Sequence, residues 1–240
     1  AFFVGIGIRA LWTLYGERRV EREVIRLTVG AVLATALVVL ASSVVAGTPR
    51  AWPEFFKNTV KHADTPLTNH MGLRTVLGFR WGERQAVMYD PDRLDPYAPL
   101  KEARRESRHG AGAILSATLF AAYLALLVVA LSRRTALWVA STLSFGLIAV
   151  AFELTCYYYS FLTTAAFLGE EREEVPIGLL ALSALTGVAA LKTYNNDVRY
   201  YLESILVIAF VVWATWRFVP RRRVRASQEA SMAAETAPGA

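Results

Sequence analysis

The sequence predicts an all-α fold: a polytopic transmembrane helical bundle with one long external loop containing short interfacial helices. Of its 240 residues, 55% are hydrophobic and only 19% are charged. The apolar residues form continuous blocks rather than a pattern at helix or strand spacing, and blocks of about 17–25 residues match the ~30 Å hydrocarbon core of a bilayer. These blocks are 27–46, 113–131, 136–152, 177–191 and 200–219.

The charge pattern argues against a nucleic-acid partner, although the formal net charge is +6. Basic residues concentrate just after the last apolar block, where such a cluster is typical of the cytoplasmic end of a transmembrane helix. The cluster consists of Arg217, Arg221, Arg222, Arg223 and Arg225. The single cysteine, Cys156, excludes an internal disulfide, and no Cys or His pair has metal-ligand spacing. No metal site is predicted, and membrane lipids are the expected partners.

The first helical elements follow from hydropathy and charge. Residues 1–15 are apolar but too short to span, and they are interpreted as the end of a truncated transmembrane helix. Residues 16–26 form a basic cytoplasmic linker, residues 27–46 a transmembrane helix, and residues 47–112 the external loop. At the other terminus, residues 220–240 are interpreted as a basic, disordered cytoplasmic tail.

The run 136–168 raises the central question of topology, because it holds one charge, Glu153, in 33 residues. A single helix of that length would measure about 50 Å, too long for a ~30 Å core. If the chain instead reverses near Glu153–Cys156, every short basic loop lies on one side, as the positive-inside rule requires. The predicted helices are therefore 113–131, 136–152, 155–168, 176–191 and 200–219. Whether 155–168 spans fully or is re-entrant stays open.

On this topology three consecutive tyrosines, Tyr157, Tyr158 and Tyr159, lie at the external interface. They are explained either as an aromatic belt or as a hydrogen-bonding wall for a polar headgroup. Glu153 lies at the same depth, where a carboxylate calls for a partner or a function.

The external loop holds a second polar group. Residues 51–63 (AWPEFFKNTVKHA) predict a short amphipathic helix lying in the interface. Next, the segment 65–77 (TPLTNHMGLRTVL) places Asn69, His70 and Arg74 among apolar residues, close after His62. Such residues are either satisfied at the interface or suited to an anionic headgroup, because arginine offers phosphate a two-pronged set of donors.

At these residues the chain resembles the C-terminal part of a bacterial GT-C-type integral membrane glycosyltransferase, of the polyprenyl-phosphate-mannose-dependent kind. The resemblance rests on an interfacial helix followed by an Asn-containing turn (TNHMGL, 68–73), on the aromatic cluster TCYYYS (155–160), and on the closing hydrophobic hairpins with a basic end.

The resemblance implies a bacterial inner-membrane protein with a cytoplasmic C-terminus. It also implies transfer of a sugar from a polyprenyl-phosphate donor to a lipid or glycan acceptor at the outer face. The family's catalytic acid usually lies in an early external loop, so no catalytic residue is assigned here. The predicted substrate-binding residues are His62, Asn69, His70, Arg74, Glu153, Tyr157, Tyr158 and Tyr159.

The alternative is a non-catalytic polytopic membrane module, such as a transporter subunit or an assembly factor. A transporter would be expected to show matching halves and ionisable residues near mid-membrane. Apart from Glu153, the sequence shows neither feature.

Overall fold

The computed structural model describes residues 1–63, 65–132 and 134–220, without the side chains of His62 and Ala63. The α-helices and strands, in chain order, are α1 (Phe2–Glu17), α2 (Arg22–Val45), α3 (Ala51–Ala63), β1 (His70–Met71), α4 (Leu73–Gly78), α5 (Gln85–Met88), α6 (Ala98–Ser107), α7 (Ala111–Ala130), α8 (Leu137–Leu143), α9 (Gly146–Ala151), β2 (Leu154–Thr155), α10 (Glu174–Lys192) and α11 (Asn196–Trp216). Two 3₁₀ helices cover Trp81–Glu83 and Cys156–Glu170. Of the tail predicted at 220–240, all but Pro220 lies outside the described residues.

Four helices in the described part of the chain are long and apolar enough to cross a membrane: α2, α7, α10 and α11. The helices α8 and α9 together form a shorter apolar segment, Leu137–Ala151. The only sheet in the described residues is the two-stranded pair β1–β2. The predicted fold class is therefore confirmed as an all-α bundle of the polytopic membrane type.

Several element bounds differ from those expected. The linker predicted at 16–26 shrinks to 18–21, because α1 continues to Glu17 and α2 already begins at Arg22. Charged side chains on these first and last turns do not stop the backbone from remaining helical, since they can lie outside the hydrocarbon. By contrast, α3 has the bounds predicted for the amphipathic helix. Its Trp52 indole donates a 2.9 Å hydrogen bond to Ser42 Oγ of α2.

The long apolar run is broken where its carboxylate lies. The backbone leaves the helix after α9, is extended at Phe152, pairs as β2, and then enters the 3₁₀ helix Cys156–Glu170. This helix packs back along α8, and the rings of Phe145 and Phe161 lie 6.3 Å apart. At ~2.0 Å per residue, a 3₁₀ helix of fifteen residues extends over roughly 30 Å, which is the thickness of a hydrocarbon core. The same fifteen residues as an α-helix would be too short to cross it.

Contacts between the elements show which of the described connections lie at the same end of the bundle. At one end, here called the loop end, the backbone N–H of Cys156 donates to the carbonyl oxygen of Asn69, and Asp197 contacts the segment between α3 and α7. At the opposite end, Arg217 pairs with Glu174, and the Arg9 guanidinium donates a 2.8 Å hydrogen bond to the Thr135 carbonyl. The chain therefore reverses at β2, and the 3₁₀ helix runs from the loop end to the opposite end.

Helix α11 lies at the centre of the packing. It contacts α4, α7, α9, α10 and β1. Its buried residues Val207, Phe210 and Val211 belong to the same apolar core as Leu127 and Phe145. Because α11 also begins at the loop end, the polar residues of that end pack against its first turns.

Candidate functional site

The pairing of β1 with β2 brings the two polar segments of the sequence together. His70 is opposite Thr155, and Met71 is opposite Leu154, in antiparallel register. The turn that follows requires glycine: Gly72 has a φ of 125°, and a Cβ there would lie 2.5 Å from the Phe152 carbonyl oxygen. The amide of Gly72 also donates a 3.1 Å hydrogen bond to Ser204 Oγ, which ties the turn to α11.

Glu153 is buried and paired. Its side chain is 6% exposed and forms an ion pair with Arg108, whose side chain is 12% exposed. The hydroxyl of Thr75 donates to the same carboxylate at 3.2 Å. The sequence does not reveal these partners, because Arg108 lies in a charged run that has the pattern of a solvated helix and Thr75 lies in an apolar one.

His70 lies on the other side of this carboxylate, with Nδ1 3.9 Å from Glu153 Oε1. The backbone N–H of Leu67 points to Nδ1 at 3.4 Å, which assigns the acceptor role to that nitrogen and the ring proton to Nε2. Burial lowers the pKa of His70 below its ordinary value; Glu153 opposes this shift, while Arg108 and Arg104 add to it. The ring is therefore held neutral at neutral pH, as a packed hydrogen-bonding group.

A second buried ion pair joins the loop to α11. Asp197 is fully buried, and its Oδ2 lies 3.7 Å from the Arg104 guanidinium and accepts a 2.6 Å hydrogen bond from the Gln85 amide. Arg104 also donates to the Leu67 carbonyl at 2.9 Å. Burial lowers the pKa of Arg104, and Asp197 acts in the opposite direction. This pair fixes α6 and α5 onto the start of α11.

Arg74 has different surroundings. Its side chain is exposed, and it has no hydrogen-bond or ion-pair partner in the described part of the chain. It borders a cavity of about 360 Å³ between α4, the end of α6, the start of α7, and α9. The polar part of the lining is Arg74, Ser107, Arg108 and Ser116. The apolar part includes Ala117, Phe120 and Val150. We call this space the arginine cavity.

The tyrosines border a second, larger space. Tyr157 and Tyr159 line a groove of about 680 Å³ between the 3₁₀ helix, α10 and α11, here called the α10–α11 groove. Tyr157 and Tyr158 are exposed, with ring centroids 4.5 Å apart, whereas Tyr159 is 7% exposed. The Tyr159 hydroxyl is buried and has no hydrogen-bond partner among the described residues.

The predicted site residues are thus distributed over three environments rather than one. Arg74 borders the arginine cavity, Tyr157 and Tyr159 border the α10–α11 groove, and His70 with Glu153 is buried at the strand pair. Asn69 is half-buried, and its backbone carbonyl oxygen accepts a hydrogen bond from the Cys156 amide next to the strand pair. The side chain of His62 lies outside the described residues. No three His, Cys, Asp or Glu side chains in the described ranges converge on a possible metal position.

Together, fold and site define a class: a polytopic α-helical membrane protein with buried ion pairs and two cavities at one end. Comparison of the chain with protein-family models, with curated proteins and with solved structures finds no match.

Proposed function

We propose that this chain works in an integral membrane glycosyltransferase, which moves a sugar from a polyprenyl-phosphate donor to a lipid or glycan acceptor at the outer face of the membrane. The observation that carries the proposal is the arginine cavity. It combines a guanidinium that has no described counter-ion with an apolar wall on a helix long enough to span the bilayer.

The cavity suits the phosphate and first isoprene units of such a donor. Arg74 would bind the phosphate oxygens, because a guanidinium makes charge-assisted, two-pronged hydrogen bonds to phosphate. Ser107 and Ser116 add hydroxyl donors beside it. Ala117 and Phe120 continue the wall along α7 toward the membrane interior, where a prenyl chain would follow. The volume, about 360 Å³, falls within the ~300–1,000 Å³ usual for ligand sites.

The short basic loops support an outward-facing loop end. Arg18 and Arg19 follow the end of α1, and Arg134 lies in the connection before α8; Gly16 and Ser132 border one space there, at the opposite end of the bundle. Lysine and arginine in short loops favour the cytoplasm. The long segment between α2 and α7 is free to be external despite its own arginines, since long loops cross regardless of charge. In this orientation the C-terminus would lie on the cytoplasmic side, and the membrane of the proposed enzyme is the bacterial inner membrane.

In the proposed transfer, the bond between the sugar C1 and the donor phosphate oxygen breaks. A new bond forms between C1 and an acceptor hydroxyl oxygen, and the hydroxyl proton passes to a general base. Arg74 would stabilise the phosphate as negative charge develops on it. The three buried carboxylates at the loop end each have a guanidinium partner, so none of them is assigned as the base. These pairs are Glu153–Arg108, Asp197–Arg104 and Glu203–Arg199.

Those same ion pairs favour a second candidate, a non-catalytic membrane module. Two of them, Glu153–Arg108 and Asp197–Arg104, join the loop to the bundle and would also serve to fix a rigid outer surface for docking to other membrane subunits. The two candidates differ at Arg74, because a rigid surface does not need this exposed guanidinium.

Arg74→Ala is expected to lower sugar transfer roughly ten- to hundredfold, since a hydrogen bond to a charged group contributes about 1.5–3 kcal/mol. The assay is transfer of radiolabelled mannose from polyprenyl-phosphate-mannose in membranes containing the full-length protein. Arg80→Ala is the matched control: Arg80 is an exposed arginine of the same segment, away from the cavity lining. Equal transfer by both variants and the unmodified protein would favour the non-catalytic module.

A further inference from the structure

We infer that the α10–α11 groove is a lipid site for a lipid with an uncharged, hydroxyl-bearing headgroup. This inference is independent of the proposed sugar transfer, which concerns the arginine cavity. The groove is the larger of the two spaces, and no side chain of the described protein fills it.

The shape of the groove matches a hydrocarbon chain. Its deep part is lined by leucines from two helices, Leu162 of the 3₁₀ helix and Leu179, Leu180 and Leu182 of α10. Along α10 the lining runs from Leu179 to Ala190, roughly 16 Å at ~1.5 Å per residue, which is about half of a hydrocarbon core. The groove therefore begins at the loop end and stops near the middle of the bundle.

Small residues keep the groove open on the α10 side. Small residues on a membrane helix usually permit close packing of a neighbouring helix. Here Gly187 and Ala190 border open space instead, and a Cβ built at Gly187 would meet nothing within 4 Å. The contrast is Gly178 on the same helix, where a Cβ would lie 2.4 Å from the ring of Trp213. Helix α10 is thus packed tightly in one half and separated from its neighbours in the other.

The headgroup end of the groove is polar but electrically balanced. Arg199 lies there with its charge matched by Glu203, whose carboxylate accepts a 2.7 Å hydrogen bond. Cys156 Sγ and the Tyr200 hydroxyl lie 3.4 Å apart at the same place. A phosphate here would compete with Glu203 for Arg199, whereas sugar or glycerol hydroxyls could donate to Glu203 and accept from Arg199 and Tyr200.

The test uses native mass spectrometry of the purified full chain, loaded with monogalactosyldiacylglycerol or with phosphatidylglycerol of the same acyl chains. The unmodified protein should retain the galactolipid at least tenfold more than phosphatidylglycerol. Gly187→Leu should fill the groove and abolish this retention. Val188→Leu, which adds bulk to an exposed position outside the groove lining, should leave it unchanged.

Tyr200→Phe provides a second readout. The Tyr200 hydroxyl lies at the polar end of the groove, 3.4 Å from Cys156 Sγ. Its removal should lower retention of the galactolipid several-fold, because the headgroup loses one hydrogen-bond partner. Equal retention of the two lipids, or galactolipid retention unaffected by Gly187→Leu, would overturn the inference. If Gly187→Leu does not fold, unchanged retention in Tyr200→Phe overturns it.

Discussion

Replacing Glu153 with alanine is expected to destabilise the protein by about 3–5 kcal/mol, the range for removing one partner of a buried ion pair. The carboxylate is 6% exposed and is shared by the Arg108 guanidinium and the Thr75 hydroxyl. Its removal takes away the buried carboxylate that the Arg108 guanidinium and the Thr75 hydroxyl share. The free energy of unfolding is measured by denaturant titration of the protein in mixed micelles.

Glu102→Ala is the matched control for this variant. Glu102 belongs to the same segment between α2 and α7, but its side chain is 63% exposed and its nearest arginine contact is 3.9 Å. An exposed pair of this kind contributes about 0–1 kcal/mol. Adding Arg108→Ala to the Glu153 variant should recover part of the loss. If Glu153→Ala and Glu102→Ala destabilise equally, the buried pair does not hold the loop end together.

Gly5→Ala is expected to destabilise the contact between α1 and α8 by about 1–3 kcal/mol, the usual effect of overpacking. A Cβ at Gly5 would lie 1.9 Å from the carbonyl oxygen of Ala140 and 2.1 Å from Ser144 Oγ. The first of these atoms belongs to the backbone of α8 and cannot rotate away, so the two helices must separate. Thermal unfolding of the purified protein measures the effect.

Gly7→Ala, the matched control, should not destabilise the protein. Gly7 lies in the same helix, and a Cβ there meets nothing within 4 Å. Alanine is favoured over glycine in a helix by about 0.8–1.0 kcal/mol, so this control should be neutral or stabilising. A Gly5 variant as stable as the Gly7 variant would show that α1 does not pack against α8 as described.

Local sequence properties were enough to predict the four long apolar helices α2, α7, α10 and α11, the amphipathic helix α3 and the position of the break. Continuous apolar blocks determine the membrane-type helices, and the alternation of aromatic and charged residues determines α3. The break at Glu153 follows from the cost of a carboxylate in an apolar helix. The 3₁₀ form of Cys156–Glu170 was not predictable from composition, because the same residues are compatible with an α-helix and the choice depends on packing against α8 and α10.

The arrangement of the site depended on long-range contacts that no local pattern contains. Arg108 and Glu153 are 45 positions apart in the chain, and Gln85 and Asp197 are 112 apart. The sequence grouped Arg74 with the tyrosines because all are polar residues expected at one face. In the structure α9 and β2 lie between Arg74 and the tyrosines, so Arg74 borders the arginine cavity and two of the tyrosines border the α10–α11 groove. Only the turn at Gly72 could be recognised from a single residue, because glycine readily adopts the positive φ found there.

The most direct test of the central claim is a disulfide between β1 and β2. With Cys156 replaced by serine, the chain has no other cysteine, so Met71→Cys and Leu154→Cys can only pair with each other. Opposed antiparallel residues have Cα atoms about 4.5–5.5 Å apart, within the range for a disulfide. We predict rapid oxidation in membranes, detected as a linked peptide by mass spectrometry, and none for Met71→Cys with Phe167→Cys. An unlinked 71–154 pair would contradict the reversal of the chain at Thr155 and the shared loop end built on it.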